Sequence, residues 1–202
     1  MKIVVIVEGK TEKAFIPHLR EYLEKHLPGA MPRLDTLPYD GRIPTGEKLK
    51  RVVKSLLEGK KPAECVIALT DVYTGTPDFR DAADAKAKMS AWVGNVPQFH
   101  PHAAQYDFEA WLLPYWSTIQ KLAGHNKKAP AGNPEKVNHN NPPAHRIKEV
   151  FEAGSCRDSY VKPRDAGRIL RDNDLSIAVN QCPELKAFIN TILEACGGSV
   201  IP

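Results

Sequence analysis

The stretch KIVVIVEGKTE, residues 2–12, joins an apolar segment to a polar turn. The segment Lys2–Val7 is rich in β-branched side chains, which is typical of a strand buried on both faces of a parallel sheet. Apolar residues then recur at helical spacing from Phe15 to Leu27 and stop before Pro28. The opening unit is therefore predicted to be a strand, a turn and an amphipathic helix.

Further apolar segments repeat this alternation along the first half of the chain. A helical pattern begins at Thr45 and ends at Gly59, and residues 64–70 (ECVIALT) predict a second buried strand that ends on Asp71. Weaker patterns predict a strand over 33–40, a helix over 79–92, a strand over 98–105 and a helix that opens at Asp107. Because such alternation forms parallel, doubly wound sheets, we predict an α/β fold with a mostly parallel central sheet flanked by helices.

The composition changes after residue 123. Residues 124–143 are rich in Asn, Pro, Gly, His and Lys, which predicts a flexible basic loop. Only helical patterns follow, over 144–153, 164–172 and 183–195. We therefore expect a single domain with an α/β core in 1–123, the loop in 124–143 and a helical C-terminal extension, packed on the core, in 144–202.

The overall composition is that of an ordinary globular protein. The chain has 202 residues, 42% of them hydrophobic and 26% charged, with a net charge of +4. This excludes collagen-like, coiled-coil and wholly disordered chains. The longest apolar run, Ile3–Val7, is far too short to cross a membrane, so we expect no membrane association and a cytoplasmic location. The four cysteines form no C-x-x-C pair and are expected to be free and mostly buried.

Both of the clearest strands end on a carboxylate, Glu8 and Asp71. In parallel sheets, binding and catalytic residues usually lie at the carboxyl ends of the strands. The chain contains no G-x-G-x-x-G turn and no G-x-x-x-x-G-K-[ST] loop, which disfavours the nucleotide-binding folds that use them. What remains is a carboxylate site for a hard divalent cation, for which the candidate ligands are Glu8, Glu12, Asp71, Asp78, Asp107 and Glu109.

Several of these residues also have a structural interpretation. Glu12 would favourably face the dipole of the first helix, and Asp78 would cap the next one. If a helix begins at Asp107, that residue caps it and Glu109 points elsewhere, so the two are not expected to share an ion. His100 and His102 lack a third ligand at zinc spacing, which favours a structural role.

Basic residues concentrate in the second half of the chain. Between Lys121 and Lys148, six Lys and Arg residues accompany one acid, Glu135, together with His125, His139 and His145. This basic segment is either a solubilising loop or an arm that contacts phosphates. Outside the 124–143 loop, Arg42, Arg146, Lys162, Arg164 and Arg168 are further candidates for phosphate contacts.

The string from Glu8 to Glu12, together with Asp71, resembles the two signature motifs of TOPRIM domains. The rest of the chain is similar to a narrower group, the uncharacterised bacterial TOPRIM-like proteins often encoded beside an AAA or ABC-type ATPase. These are distant relatives of the overcoming-lysogenisation-defect nucleases. The matching blocks are Asp71–Phe79, Asp107–Leu113, Lys162-Pro163 with Gly167 and Ile169, and Cys182-Pro183.

The resemblance implies a TOPRIM-like fold with Glu8, Glu12 and Asp71 as catalytic residues, Glu8 being the general acid/base or a metal ligand. It also implies Mg²⁺ or Mn²⁺, held by members of the set Glu8, Asp71, Asp78, Asp107 and Glu109. The chain departs from the usual D-x-D motif, because Tyr73 stands where the second aspartate is expected. Substrate contacts are expected from Lys10, Arg42, Tyr73, Lys162 and Arg164.

Two functions follow from the resemblance. The first is a Mg²⁺-dependent phosphodiesterase or nuclease that acts on DNA or RNA in phage defence or DNA processing, with an ATPase partner. The alternative is a non-catalytic TOPRIM-like adaptor or sensor that binds the ATPase or a nucleotide, and Tyr73 favours it. Phosphoryl transfer on small nucleotides also remains open.

Overall fold

The computed structural model describes residues 1–73, 76–137, 141–156 and 159–202, which form four strands and eight α-helices. The strands are β1 (Lys2–Val7), β2 (Arg33–Pro38), β3 (Cys65–Asp71) and β4 (Phe99–Ala104). The helices are α1 (Lys10–His26), α2 (Gly46–Glu58), α3 (Ala82–Val93), α4 (Trp116–Ala123), α5 (Pro143–Ala153), α6 (Lys162–Arg171), α7 (Leu175–Gln181) and α8 (Pro183–Ala195). Two 3₁₀ helices cover Phe108–Tyr115 and Pro134–Lys136.

The four strands form one sheet in the order β2-β1-β3-β4, and every pair is parallel. This confirms the predicted α/β fold with a parallel sheet flanked by helices. The central strand β1 is buried on both faces. Its residues Ile3, Val5 and Val7 pack in the core shared with α1 and the C-terminal helices, whereas Val4 and Ile6 pack with α2 and α3.

Some boundaries differ from the expectations for physical reasons. Helix α3 begins at Ala82 rather than Phe79, because the Asp81 side chain accepts a hydrogen bond from the Asp84 N–H at 2.8 Å and caps the helix. The chain after Asp107 forms a 3₁₀ helix before α4, and the short α7 was not predicted. All four cysteines are free, but only Cys65 and Cys182 are buried. No helix in the described part of the chain is long and apolar enough to cross a membrane.

Gly154 lets the end of α5 meet the end of α4. A Cβ atom at this position would lie 1.9 Å from the carbonyl oxygen of Ala123. That oxygen accepts a hydrogen bond from the Cys156 N–H at 3.1 Å, which fixes the two chain segments against each other. Glycine is therefore required at position 154 by close backbone approach.

We predict opposite effects for one substitution at two glycines. Gly154→Ala should lower the free energy of unfolding by about 1–3 kcal/mol or more, because the added methyl group meets backbone that cannot move freely. Gly167→Ala, inside α6 with nothing within 4 Å of the added atom, should raise it by about 0.5–1 kcal/mol. Urea unfolding measures both, and an equal loss in the two variants would contradict the close approach.

His102 joins β4 to α8 rather than serving as a ligand. The Thr191 hydroxyl donates to the Ala187 carbonyl at 3.2 Å, so the His102 Nε2, 2.9 Å from the same hydroxyl oxygen, donates to it. The ring also meets Phe188 edge-on at 5.6 Å. Burial, together with the charges of Lys86 and His100, lowers the pKa of His102 from 6.5 to about 3.

Because the His102 ring is buried and uncharged, we predict that acid lowers the free energy of unfolding. Between pH 6.5 and pH 3 the unfolded chain binds one more proton at His102 than the folded chain, so stability falls as the pH falls through that range. We expect the unfolding free energy of the wild type to decline relative to His102→Gln by up to about 1.4 kcal/mol per pH unit below 6.5. Thermal unfolding at pH 7.5, 6, 5 and 4 gives the comparison, and parallel profiles would be evidence against it.

Candidate functional site

Three neighbouring strand ends bring carboxylates to one edge of the sheet. Glu8 directly follows β1, Asp71 is the last residue of β3, and Asp107 follows β4 after a two-residue turn. β3 lies between β1 and β4, and Asp71 is in register with Ala104. The parallel sheet therefore collects at one edge residues that are far apart in the sequence.

Glu8 is buried and held by its neighbour strand. Its Oε1 accepts a short hydrogen bond from the Thr70 hydroxyl and another, 3.1 Å long, from the Asp71 N–H. Burial raises the pKa of Glu8 to about 7; the two hydrogen bonds and the charge of Arg42 oppose this rise, while Glu12 adds to it. A carboxylate with this pKa exchanges a proton near neutral pH.

Glu12 lies in the first turn of α1 and is also buried. Burial raises its pKa, the charge of Glu109 raises it further, and Lys162 opposes the rise. Its position in the first turn agrees with the expected favourable contact with the helix dipole. Its electrostatic contact with Glu109 also places Glu12 within the acidic group.

Asp71 and Asp107 have raised pKa values for the same reasons. Burial raises the pKa of Asp71 well above its ordinary value, and the charges of Glu8, Glu12, Asp107 and Glu109 raise it further. Burial and then Glu109 raise the pKa of Asp107 to about 7. Its Oδ2 accepts a hydrogen bond from the Ala144 N–H at 3.1 Å, whereas its buried Oδ1 has no partner among the described residues.

Glu109 is fully buried and bridges two residues of the C-terminal half. Its Oε2 accepts a hydrogen bond from Lys162 Nζ at 3.0 Å, and its Oε1 accepts one from the Tyr160 hydroxyl at 3.3 Å. Burial lowers the pKa of Lys162, but the charges of Glu109, Asp107 and Asp71 raise it above its ordinary value overall. The chain after Asp107 forms a 3₁₀ helix rather than the expected α-helix, and the charges of Glu109 and Lys162 both act on the pKa of Asp107.

Asp165 fixes the start of α6, where Lys162 lies. Its fully buried carboxylate accepts a hydrogen bond from the Val161 N–H at 2.8 Å and two from the Arg164 guanidinium at 2.9 Å. Arg168 Nη1 lies 3.5 Å away. Arg164, an expected substrate contact, is therefore paired with Asp165 while its side chain remains 43% exposed.

The remaining predicted site residues lie around this acidic group. Asp78, an expected metal ligand, forms an ion pair with Arg42 and accepts a hydrogen bond from the Thr76 hydroxyl. Arg42 itself acts on the pKa of Glu8, which places it beside the acidic group. Lys10 is exposed at the first residue of α1. Thr74 and Gly75, in the sequence block between Asp71 and Phe79, lie outside the described residues.

Tyr73, which stands where the resemblance leads us to expect a second aspartate, stacks on Tyr106. The two ring centroids are 5.4 Å apart, with an interplanar angle of 29°. The Tyr73 side chain is 43% exposed, and its backbone N–H donates to the Tyr106 carbonyl at 2.7 Å. An aromatic pair therefore lies just beyond the end of β3.

The basic segment between Lys121 and Lys148 is partly engaged by acids. Lys127 pairs with Glu149 at 2.7 Å, and Lys148 lies 3.5 Å from Glu152. Its own acid, Glu135, is buried, and it accepts hydrogen bonds from Trp111 Nε1 at 3.0 Å and from the Glu184 N–H. His139 lies outside the described residues.

The donor set at the strand ends fits the Mg²⁺ or Mn²⁺ that the resemblance implies. Its donors are carboxylate oxygens, which these hard cations prefer, and Oδ1 of Asp107, which has no hydrogen-bond partner among the described residues, is a further oxygen donor. Within the described ranges, no three His, Cys, Asp or Glu side chains converge closely enough to hold an ion by themselves. Mg²⁺ usually takes one or two carboxylates with waters and substrate oxygens, so the adjacent pair Glu8 and Asp71 meets its requirement.

Four residues of this region were not singled out from the sequence. Thr70, a hydroxyl at the end of an apolar strand, bonds to Glu8; Tyr160, two residues before Lys162, bonds to Glu109. The isolated polarity of Thr70 was a usable signal. Nothing in the sequence indicated that Asp165 is buried or that Tyr106 stacks on Tyr73.

Comparison with solved structures finds the same fold. The C-terminal region of the Burkholderia pseudomallei OLD protein aligns with a TM-score of 0.53 and 16% sequence identity, covering 96% of this chain and 96% of that chain. The C-terminal region of the Xanthomonas campestris pv. campestris OLD protein aligns with a TM-score of 0.49 and 14% identity, covering 96% and 93%. A comparison with curated proteins gave no match.

The ordered sequence blocks predicted an uncharacterised family related to the overcoming-lysogenisation-defect, or OLD, proteins. The shared fold of the B. pseudomallei region agrees with that prediction. A family model described as a domain of unknown function, DUF4276, matches residues 7–193, and the chain therefore belongs to the DUF4276 family.

Proposed function

We propose that this protein is a nuclease, a phosphodiester hydrolase that uses Mg²⁺ or Mn²⁺ and acts on nucleic acid. The observation that carries the proposal is the pairing of Glu8 with the Asp71 backbone at adjacent strand ends, inside a group of buried carboxylates. The likeness of the fold to the C-terminal region of an OLD protein supports it. Such burial raises the energy of the charged site, and a bound cation would relieve the repulsion.

The residues divide into roles according to their contacts. Glu8 accepts the proton of the attacking water, and its hydrogen bonds to Thr70 and the Asp71 N–H hold the carboxylate in place. Asp71 and Glu8 would hold the cation. When bound, the cation supplies Lewis-acid stabilisation of charge on the phosphate.

Lys162 is proposed to contact a phosphate oxygen of the substrate. Its Nζ is fixed by Glu109 at 3.0 Å, yet its side chain remains 49% exposed. The charges around it keep it protonated. Lys10, Arg42 and Arg164 are proposed as outer contacts to the backbone, and the basic segment between Lys121 and Lys148 as an arm for more distant phosphates.

Substitution of the proposed base or of a proposed cation ligand tests the nuclease function. Glu8→Gln and Asp71→Asn should each lower the rate of cleavage by about 10²–10⁴-fold, because they remove the proton acceptor or a cation ligand at little change in shape. Plasmid, single-stranded DNA and tRNA, each with Mg²⁺ or Mn²⁺, are the substrates to test.

Glu47→Gln, a carboxylate substitution on the exposed start of α2, is the matched control and should retain wild-type activity. The nuclease proposal is contradicted if the wild type cleaves none of these substrates, with or without an ATPase partner. It is also contradicted if all three variants lose activity equally.

The second candidate function is a non-catalytic adaptor or sensor that binds an ATPase or a nucleotide. Two observations favour it. Tyr73 replaces a carboxylate, and no three acidic, histidine or cysteine side chains in the described part of the chain form a complete ligand set. In this role the buried acids would serve recognition rather than hydrolysis.

Metal titration separates the two functions. We expect the wild type to bind Mn²⁺ in calorimetry and Asp71→Asn to lose that binding, because Asp71 is one of the two proposed ligands. Glu47→Gln should bind as the wild type does. Absence of binding by the wild type at millimolar Mn²⁺ would favour the adaptor instead.

The cellular setting is a further part of the proposal. We propose that the protein acts in the cytoplasm with an AAA or ABC-type ATPase, in phage defence or DNA processing. The support is the resemblance of the ordered blocks, from Asp71–Phe79 to Cys182-Pro183, to proteins often encoded beside such an ATPase.

A further inference from the structure

The stacked pair of Tyr73 and Tyr106 is close in the sequence to two of the site's carboxylates. Tyr73 comes two residues after Asp71, and Tyr106 comes one residue before Asp107. Two residues of extended chain span at most about 7 Å. The aromatic pair is therefore beside the acidic group, at the same edge of the sheet.

Backbone contacts hold the pair in place beyond the ends of the strands. The Val72 N–H donates to the Ala104 carbonyl at 3.2 Å, and the Tyr73 N–H donates to the Tyr106 carbonyl at 2.7 Å. Tyr106 has φ of +74°, and no other non-glycine residue in the described ranges has a positive φ. Tyr106 thus adopts a backbone conformation that side-chain-bearing residues disfavour, and in it the ring lies against Tyr73.

Packing in the core does not explain why an aromatic residue stands at position 73. Tyr73 is 43% exposed, and within the described ranges no other phenylalanine, tyrosine or tryptophan is as exposed. An aromatic ring that only fills the core would be buried, as Phe108 and Trp111 are. A ring that is supported by a second ring and remains open to solvent has the form of the platforms on which unpaired bases stack.

We propose that Tyr73, supported by Tyr106, stacks on an unpaired base of a nucleic-acid substrate. This inference rests on the proposed nuclease function and deepens it, because it selects single-stranded or locally unpaired substrate. A base inside a duplex has both faces covered by its neighbours, so a continuous duplex offers no free face to the ring. Because Tyr73 comes two residues after Asp71, the stacked nucleotide lies beside the acidic group, while sequence preference remains weak.

The test is equilibrium binding of short fluorescent DNA strands, with Ca²⁺ in place of Mg²⁺ to avoid cleavage. Three probes are compared: an intact single strand, the same strand with abasic sites, and the duplex. The wild type should bind the intact strand at least about fivefold more tightly than the other two. This comparison requires no variant, so it stands even if a substitution disturbs folding.

Variants then assign the effect to the ring. Tyr73→Leu and Tyr106→Leu should weaken binding of the intact strand at least about fivefold and leave binding of the abasic strand unchanged. Tyr73→Phe, which keeps the ring and loses only the hydroxyl, should bind as the wild type does. Equal losses in Tyr73→Phe and Tyr73→Leu would overturn base stacking in favour of a hydroxyl contact.

The outcomes also separate this inference from the nuclease proposal. Cleavage by the wild type with equal affinity for intact and abasic strands overturns the stacking and leaves the nuclease standing. Binding of the intact strand that depends on Tyr73, without any cleavage, supports the stacking within an adaptor and overturns the nuclease. Binding of none of the three probes overturns the stacking, and the cleavage assay on plasmid, single-stranded DNA and tRNA then decides the nuclease proposal separately.

Discussion

The burial of several carboxylates together at one edge of the sheet is the constraint on which the rest of the structure depends. Glu8, Glu12, Asp107 and Glu109 are almost entirely buried, and Asp71 interacts electrostatically with all four. Buried charges of one sign are costly, and the cost falls only when hydrogen bonds or opposite charges are supplied. The protein supplies Thr70 and the Asp71 N–H to Glu8, the Ala144 N–H to Asp107, and Lys162 to Glu109.

The C-terminal half of the chain can be understood as part of this compensation. Lys162 begins α6, and α6 packs against α1, whose first turn carries Glu12. The buried Asp165 holds the start of α6 through the Val161 N–H, so the position of Lys162 depends on a residue that lies outside the acidic group. The Ala144 N–H, from the start of α5, reaches Asp107. Two C-terminal helices therefore present their first turns to the strand ends, where their dipoles also favour negative charge.

The sequence was informative where a residue's neighbours along the chain decide its environment. β1 and β3 are continuous apolar runs that end on acids, so their burial and the carboxylates at their ends were predictable. The helix α7, only seven residues long, is too short for a periodic pattern to show. Glu135 lies in a segment of polar composition, and its burial depends on Trp111 and Glu184, which are distant in sequence. The positive φ of Tyr106 likewise depends on pairing across β3 and β4, which no local pattern records.

The presence of Tyr73, where the resemblance to TOPRIM domains leads us to expect a second aspartate, is consistent with the same electrostatic constraint. A further carboxylate two residues after Asp71 would add negative charge to a group in which Asp71 already interacts with four others. Tyr73 adds no carboxylate to this group, and its exposed ring needs no buried counter-charge. A cation held by Glu8 and Asp71 alone would keep more of its coordination positions for water and for substrate oxygens. A tyrosine in place of a further carboxylate therefore lowers the electrostatic cost of the buried acidic group, and a cation bound by Glu8 and Asp71 would leave room in its coordination for oxygens of the substrate.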